Sequence, residues 1–259
     1  MRFYKTRETE RLNLRTCFAF SVLSCFVAII LLGCLVSVKD PVLSAKFAKP
    51  ALRVGTAPDF PPIVFKEDKK IKGIESDLAK RVGEILGTEI VFVEKEWEEL
   101  IPSLLKGDFD VIMSGMTITE ERKKIVLFTS PYKRVGQMAI MRTSDIAEFS
   151  TVEKVLGTTR RVGYLQGTTS ETFVFGNCIQ AHKIPLKTME DATSALLNNN
   201  IDVFISDAPV IWAISSSDLT PLCVPLTEEY LAWAVNKNNN ELAEILNACI
   251  EKMKNDGYL

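Results

Sequence analysis

From residue 51 onward the chain alternates two kinds of apolar pattern. Short runs such as "LRVGTA" (52–57), "EIVFVEK" (89–95), "DVIMS" (110–114), "QMAIMR" (137–142), "RRVGYL" (160–165) and "DVFIS" (202–206) have the length and β-branched content of strands. Between them apolar residues recur at helical spacing. Ile74, Leu78, Val82, Ile85 and Leu86 form one stripe ended by Gly87; Trp97, Leu100, Ile101, Leu104 and Leu105 form another ended by Gly107. "TEERKKIV" opens a helix with Thr119 as N-cap, and "TSETFVFGNCI" and "MEDATSALL" are helices. Pro209 sits where a first helical turn tolerates it. Leu242, Ile245, Leu246, Cys249, Ile250 and Met253 stripe a final helix stopped by Gly257. Such alternation implies α/β layers with largely parallel sheets.

The pattern repeats faintly. "LLKGDFDVIMSG" (104–115) and "LLNNNIDVFISD" (196–207) share a Leu-Leu pair, a polar turn, Asp-Val, two apolar residues and Ser; "RVG" opens both halves at 53 and 161. Two lobes of similar build would produce this, as would coincidence among common residue types. Carboxyl ends of strands in open α/β sheets are where ligands bind. The first such end offers Ser114, Gly115 and Thr117, whose backbone N–H groups can approach a ligand, with Arg122 close behind as a carboxylate-matched fork. The second ends in Ser206 and Asp207. Gly167, Thr168, Thr169 and Ser170 precede another helix start and add donors. Acid-seeking groups on one side and Asp207 on the other suit a small molecule with an acid and an amine, as in an α-amino acid. Each residue also has a plain alternative: Arg122 as a solvated side chain, Asp207 as a helix cap, Phe60 and Trp97 as core. Glu75 and Asp77 fall at a helix start, where carboxylates suit the dipole.

The N-terminus differs in kind. Residues 16–38 carry no charge, and Arg2, Lys5, Arg7, Arg11 and Arg15 precede them against Glu8 and Glu10. A basic flank before a long apolar run is an export signal or a membrane anchor, and it places the rest outside the cytoplasm. "LLGC" (31–34) resembles a bacterial lipobox, making Cys34 a candidate for lipidation. An uncleaved anchor and a cleaved, soluble product are the alternatives. Residues 39–50 then form a linker with Pro41 and Pro50. About 210 residues remain, enough for one large domain or two small lobes.

Charge and rare residues narrow the chemistry. The net charge is −2 with no basic block after the leader, so nothing points to nucleic acid. His182 is the sole histidine, expected at the surface near a helix end, and neither CxxC nor HExxH occurs. No metal site, cofactor or catalytic residue is expected. Cys178, Cys223 and Cys249 are odd in number, so at least one thiol stays free of any pairing among them; three small buried apolar residues is the simpler reading.

Three blocks carry a resemblance. "GIESDLAKRVGEIL" (73–86), "DVIMSGMTITEERKKIVLFTSPY" (110–132) and "VGYLQGTTSE" (162–171) resemble bacterial solute-binding proteins family 3, the polar amino-acid receptors of ABC importers, over residues 52–259. The resemblance implies a two-lobed type II periplasmic-binding fold, with lobe one at 51–132 plus 232–259, lobe two at 137–228, and hinges near 133–136 and 229–231. It implies that Arg122 grips an α-carboxylate with Ser114, Gly115 and Thr117, that Thr168 or Thr169 adds a second-lobe donor, and that Asp207 meets the α-ammonium. Phe60 and Trp97 would sandwich the side chain. It also implies a periplasmic or membrane-outer-face location and delivery of a free amino acid to a membrane permease.

Three departures stand out. Ser76 replaces the family's hydrophobic residue or threonine. Ala57 stands where receptors for basic or amide side chains often carry aspartate, so a neutral ligand side chain is expected. The family usually continues past "GYL" into a segment with Lys-Trp. The rival functions are a periplasmic cyclohexadienyl dehydratase, which resembles this fold, and a sensory ligand-binding domain. An output domain would be expected of the sensor, and Asp207 favours the receptor over the dehydratase.

Overall fold

A computed structural model describes residues 39–259; the leader and Cys34 lie outside the described residues. The strands, in chain order, are β1 (Ala51–Thr56), β2 (Asp59–Phe60), β3 (Val64–Glu67), β4 (Lys70–Lys72), β5 (Glu89–Glu94), β6 (Val111–Ile112), β7 (Val126–Phe128), β8 (Lys133–Val135), β9 (Gln137–Arg142), β10 (Arg161–Leu165), β11 (His182–Leu186), β12 (Val203–Asp207), β13 (Leu219–Pro221), β14 (Glu229–Leu231) and β15 (Ala234–Asn236). The α-helices are α1 (Pro41–Lys46), α2 (Ile74–Leu86), α3 (Leu100–Lys106), α4 (Glu120–Lys123), α5 (Val152–Leu156), α6 (Thr169–Asn177), α7 (Met189–Leu197), α8 (Ala208–Ile214) and α9 (Asn240–Asn255).

Two five-stranded sheets define two lobes, ordered β5-β1-β6-β15-β7 and β11-β10-β12-β9-β13. Each has a parallel trio and an antiparallel edge. β1 runs parallel to β5 and β6 while β15 opposes β6 and β7; β10 runs parallel to β11 and β12 while β9 opposes β12 and β13. The chain crosses twice between sheets through β8 and β14, which pair antiparallel with Leu231 opposite Lys133.

The second sheet is buried on both faces, and its side chains alternate accordingly. Met138, Ile140 and Phe204 enter one apolar cluster with α7 and α8, while Ala139, Met141, Val203 and Ile205 enter the other with α5 and α6. In the first lobe, Leu100 and Leu104 of α3 close over Ile112 and Ala234.

The repeated "RVG…D-V" pattern has a physical basis. The Asp110 carboxylate accepts from the backbone N–H of Arg53 at 3.0 Å and from its guanidinium at 3.2 and 2.9 Å. Asp202 accepts the same three bonds from Arg161, at 3.1, 2.9 and 2.7 Å. In both lobes an arginine in the first half of one strand is tied to the aspartate just before its parallel neighbour.

Two expectations need correction here. Residues 39–50 are not a free linker. Asp40 caps α1 by accepting from the Val42 and Leu43 amides, Phe47 is buried, and Lys49 pairs with Asp110 at 3.0 Å. At six residues this helix is too short to show a helical repeat of apolar positions. The cysteines are also not uniformly buried: all three are free thiols, with Cys178 and Cys249 buried and Cys223 exposed. His182 is exposed, as expected, and opens β11. Arg81 secures the chain's end by pairing with Asp256 at 2.7 Å and lying over the Tyr258 ring. No helix among the described residues is long and apolar enough to cross a membrane.

Candidate functional site

The carboxyl ends of β1, β6, β10 and β12 converge on one cavity between the lobes. Its first-lobe wall carries Ala57, Asp59, Phe60, Trp97, Gly115, Thr117 and Arg122. Its second-lobe wall carries Gln137, Thr168, Thr169 and Asp207. The cavity volume is about 50 Å³, several times the ~10–15 Å³ that one water needs. The lobes already touch over it. The Trp97 indole N–H donates to the Gly167 carbonyl at 2.9 Å, and Phe60 packs against second-lobe apolar residues.

Arg122 is positioned by its own short helix. Thr119 caps α4 by accepting from the Arg122 backbone amide at 3.1 Å. The guanidinium then donates to the Thr117 carbonyl at 2.9 Å and to the Gly167 carbonyl at 3.4 Å, and lies 5.3 Å from the Trp97 ring centroid. Burial lowers its pKa, opposed by the charges of Asp207, Glu229 and Glu121. A desolvated guanidinium with neutral hydrogen-bond partners is suited to receive a carboxylate.

Asp207 occupies the N-cap position of α8, yet its side chain makes no capping bond. Gln137 donates to it at 2.6 Å instead. Burial pushes its pKa up to about 7, helped by the nearby Glu229 charge and opposed by Gln137 and Arg122. The carboxylate is therefore held for something other than the helix, and a cationic partner would relieve it.

The other expected residues divide. Thr117, Thr168 and Thr169 line the cavity. The Thr169 hydroxyl accepts from Gln137 at 3.0 Å, while Thr168 donates to the Leu165 carbonyl at 2.8 Å. Ser114 is buried behind the wall, where its hydroxyl accepts from the Ala57 amide at 3.0 Å. Gly115 lines the cavity at φ +67°, and a Cβ there would lie 2.8 Å from Ile63. Its amide was expected to be free for a ligand and is instead taken up within the protein. It donates to Glu75 at 2.9 Å. Glu75 and Asp77 both fall in the first turn of α2, as expected, but Glu75 is fully buried whereas Asp77 is exposed and pairs with Lys80.

Sequence reasoning missed Gln137, Asp59, Glu98, Gln166 and Lys187, all of which line the cavity. Gln137 reaches Asp207 because β9 lies antiparallel to β12 with these two residues opposite each other. Only the strand pairing reveals that. Asp59 and Glu98 flank Phe60 and Trp97 in sequence, and that adjacency was the available signal. Among the described residues no cluster of His, Cys, Asp or Glu could hold a metal ion.

Comparison with known proteins agrees with this fold. The family model for bacterial extracellular solute-binding proteins, family 3, matches residues 52–259. The chain is 31% identical to a probable histidine-binding protein of Campylobacter jejuni, covering 80% of this chain and 81% of the relative. It is 30% identical to a putative ABC transporter arginine-binding protein 2 of Escherichia coli (strain K12), covering 83% and 89%. Among solved structures it is similar to the ancestral amino acid-binding protein AncCDT-1, described as a precursor of cyclohexadienyl dehydratase. The TM-score is 0.77 at 32% identity, over 83% of this chain and 95% of that one.

Proposed function

Because the chain belongs to the bacterial extracellular solute-binding proteins, family 3, we propose that it captures a free amino acid between its lobes and hands it to the permease of an ABC importer. One observation carries the reading: Arg122 and Asp207, opposite in charge and on opposite lobes, line the same cavity. The α-carboxylate pairs with Arg122 and the α-ammonium with Asp207. Closing the lobes brings each charge to its partner, so a zwitterion favours the closed state and a molecule lacking either group does not.

Ala57 suggested a neutral ligand side chain, and that argument loses its basis. Asp59 and Glu98 restore acidic groups to the cavity, with Phe60 and Trp97 beside them. Partial desolvation beside the wall raises the Asp59 pKa, and the Glu96 and Glu98 charges add to it, although the residue keeps an exposed surface. A polar or cationic side chain fits this surface better than an apolar aromatic one, in keeping with the arginine and histidine named for the two relatives. We read the protein as a receptor rather than an enzyme, because a dehydratase acting on a ring substrate has no need of an ammonium partner at Asp207. The leader would hold the receptor at the outer face of the cytoplasmic membrane, through lipidated Cys34 or as an intact anchor, or be cleaved to leave it free in the periplasm; mass spectrometry of the mature N-terminus separates these.

The test is calorimetry of the full chain against the twenty L-amino acids. We expect one or a few to bind with micromolar or tighter affinity, with L-arginine, L-histidine and L-glutamine the first to try. No binding by any of the twenty overturns the receptor reading.

A further inference from the structure

The first helical turn of α2 holds a carboxylate that the site description leaves unused. Glu75 is fully buried and forms no ion pair with any described residue. One of its oxygens accepts from the Gly115 amide at 2.9 Å and from the Tyr132 hydroxyl at 2.6 Å. The other accepts from the Trp233 indole N–H at 2.9 Å. These donors come from three separate places. Gly115 is in the cavity wall, Tyr132 immediately precedes the crossing strand β8, and Trp233 follows the crossing strand β14 by two residues.

The same three segments are laced together by backbone bonds around the carboxylate. Thr129 donates to the Trp233 carbonyl at 2.9 Å, Tyr132 to Leu231 at 3.0 Å, Ala232 to Met116 at 3.1 Å and Ile118 to Tyr230 at 2.9 Å. Thr117 forms an isolated bridge with Leu231. Motion of either crossing strand is therefore transmitted to the segment that carries Thr117 and leads to Arg122.

We propose that Glu75 is a positioning residue for capture: its carboxylate fixes the cavity wall at Gly115 and both inter-lobe crossings in one register, so that hinge closure and the Arg122 segment move as one unit. The inference rests on the receptor reading for its purpose, though not for its geometry. A carboxylate suits this role because it is acceptor-only, so three donors can converge on it from any direction. Glutamine has nearly the same volume but presents an N–H pair, which must face at least one of these donors. Burying an uncompensated charge is costly, and an apolar side chain would fill the space more cheaply. The geometry of the three donors is what an apolar side chain could not supply.

The test compares the full-length wild type with Glu75→Gln and Tyr132→Phe. Hydrogen–deuterium exchange is measured first, without added amino acid. In Glu75→Gln, exchange should rise together in 113–118, 129–135 and 229–234, while β10 and β12 keep their protection. In Tyr132→Phe, which removes one hydroxyl, the effect should be smaller and should still reach Gly115. Exchange that rises only in the first turn of α2 overturns the proposal. If Glu75→Gln loosens the whole molecule, Tyr132→Phe decides: unchanged protection across 113–118 overturns it.

The second readout uses L-arginine as probe, with affinity and radius of gyration measured at saturation. Leaving a buried donor unpaired should weaken binding about tenfold in Glu75→Gln, with incomplete compaction even when saturated. A variant that only lost stability would melt earlier yet compact fully, and that result, or wild-type affinity, overturns the proposal. If the wild type binds none of the twenty amino acids, the receptor reading falls on its own and the exchange pattern alone decides the role of Glu75.

Discussion

The two lobes share a frame and differ at its tip. Each ties an arginine to the aspartate before the neighbouring strand, Arg53 to Asp110 and Arg161 to Asp202. Each runs a helix into that aspartate and a buried strand out of it, and each strand leads to a serine, Ser114 or Ser206. One residue later they diverge. The first lobe places Gly115, whose amide is drawn inward by Glu75, and leaves the positive charge to Arg122 seven residues on. The second places Asp207 itself, buried and attended by Gln137. A common scaffold thus delivers a cation from one side and an anion from the other. On the proposed reading, recognition of a zwitterion would rest on that asymmetry, with each lobe supplying one of the two charges.

Removing the cationic half should break the comparison most severely. Truncating one member of a buried charge pair costs about 2–5 kcal/mol, so Arg122→Ala should weaken amino-acid binding by roughly 30- to 3,000-fold. Lysine should recover only part, since it lacks the planar fork. Without ligand, the bonds to the Thr117 and Gly167 carbonyls and the stacking over the Trp97 ring are lost, and the melting temperature should fall by about 2–4 °C. Near wild-type affinity in the alanine variant would remove the carboxylate clamp.

The anionic half should show itself through pH. With its pKa at about 7 before ligand binds, Asp207 is largely protonated below that value and must lose a proton to meet an ammonium. Affinity should therefore drop up to about tenfold per pH unit below 7 and level off above it. The stability sign is the reverse. A raised carboxylate pKa favours the ligand-free fold at low pH, fully below 3.8, and that contribution is lost as pH rises through about 7. Ligand should then raise the melting temperature more at pH 8 than at pH 5. Glu229 and Arg122 are the charges that bear on Asp207, so Glu229→Gln should move the inflection downward. In Asp207→Asn, binding should be weaker and nearly flat with pH; a retained inflection would assign the titration elsewhere.

Much of this frame was legible because it is local. The stripe of α2, its end at Gly87 and the Thr119 cap of α4 each depend on residues within a few positions. The charged pair Arg122 and Asp207 was legible because each follows a buried strand. What was hidden depends on residues far apart in sequence. Gln137 joins the site only through the register of β9 on β12. Glu75 looks like an ordinary helix-start carboxylate until Tyr132 and Trp233 arrive from 57 and 158 residues away. Asp59 was hidden because a first-loop acid is expected at position 57, which Ala57 occupies, two residues earlier.

The shared frame can be tested by cutting it in each lobe. Asp202 takes hydrogen bonds from Arg161 and Arg142, while Asp110 is served by Arg53 and Lys49. Burial opposes ionisation at Asp202, yet these arginines hold its pKa down at about 2. A depressed carboxylate contributes stability above its unfolded value of 3.8 and loses it as pH falls toward about 2. Asp202→Asn should cost on the order of 2 kcal/mol at neutral pH. The cost should shrink in acid across that window. Asp110→Asn should cost less, because its second partner Lys49 is 54% exposed and well solvated, whereas Arg142 beside Asp202 is only 13% exposed. Equal losses in the two lobes would mean that the echo in sequence is also an equality in energy, contrary to this expectation.

The smallest effect concerns the cavity mouth, where the lobes differ in which acid or base they present. The first lobe contributes Asp59 and Glu98, and the second Lys187. Asp59 is exposed as a residue, so a cationic ligand group meeting it remains partly in water. An ion pair of that kind is worth roughly 0.2–1 kcal/mol. Asp59→Asn should therefore weaken L-arginine by about fivefold at most and leave L-glutamine nearly unchanged. Ala57→Asp asks the complementary question. Ala57 is buried in the cavity wall, so an acid there is less screened than Asp59 and should shift preference toward L-arginine by more than Asp59→Asn removes. The ratio of the two affinities, measured by calorimetry in each variant, is the decisive quantity. If Asp59→Asn lowers both amino acids equally, the mouth acids shape the cleft without reading the side chain. Discrimination would then belong to Phe60 and Trp97.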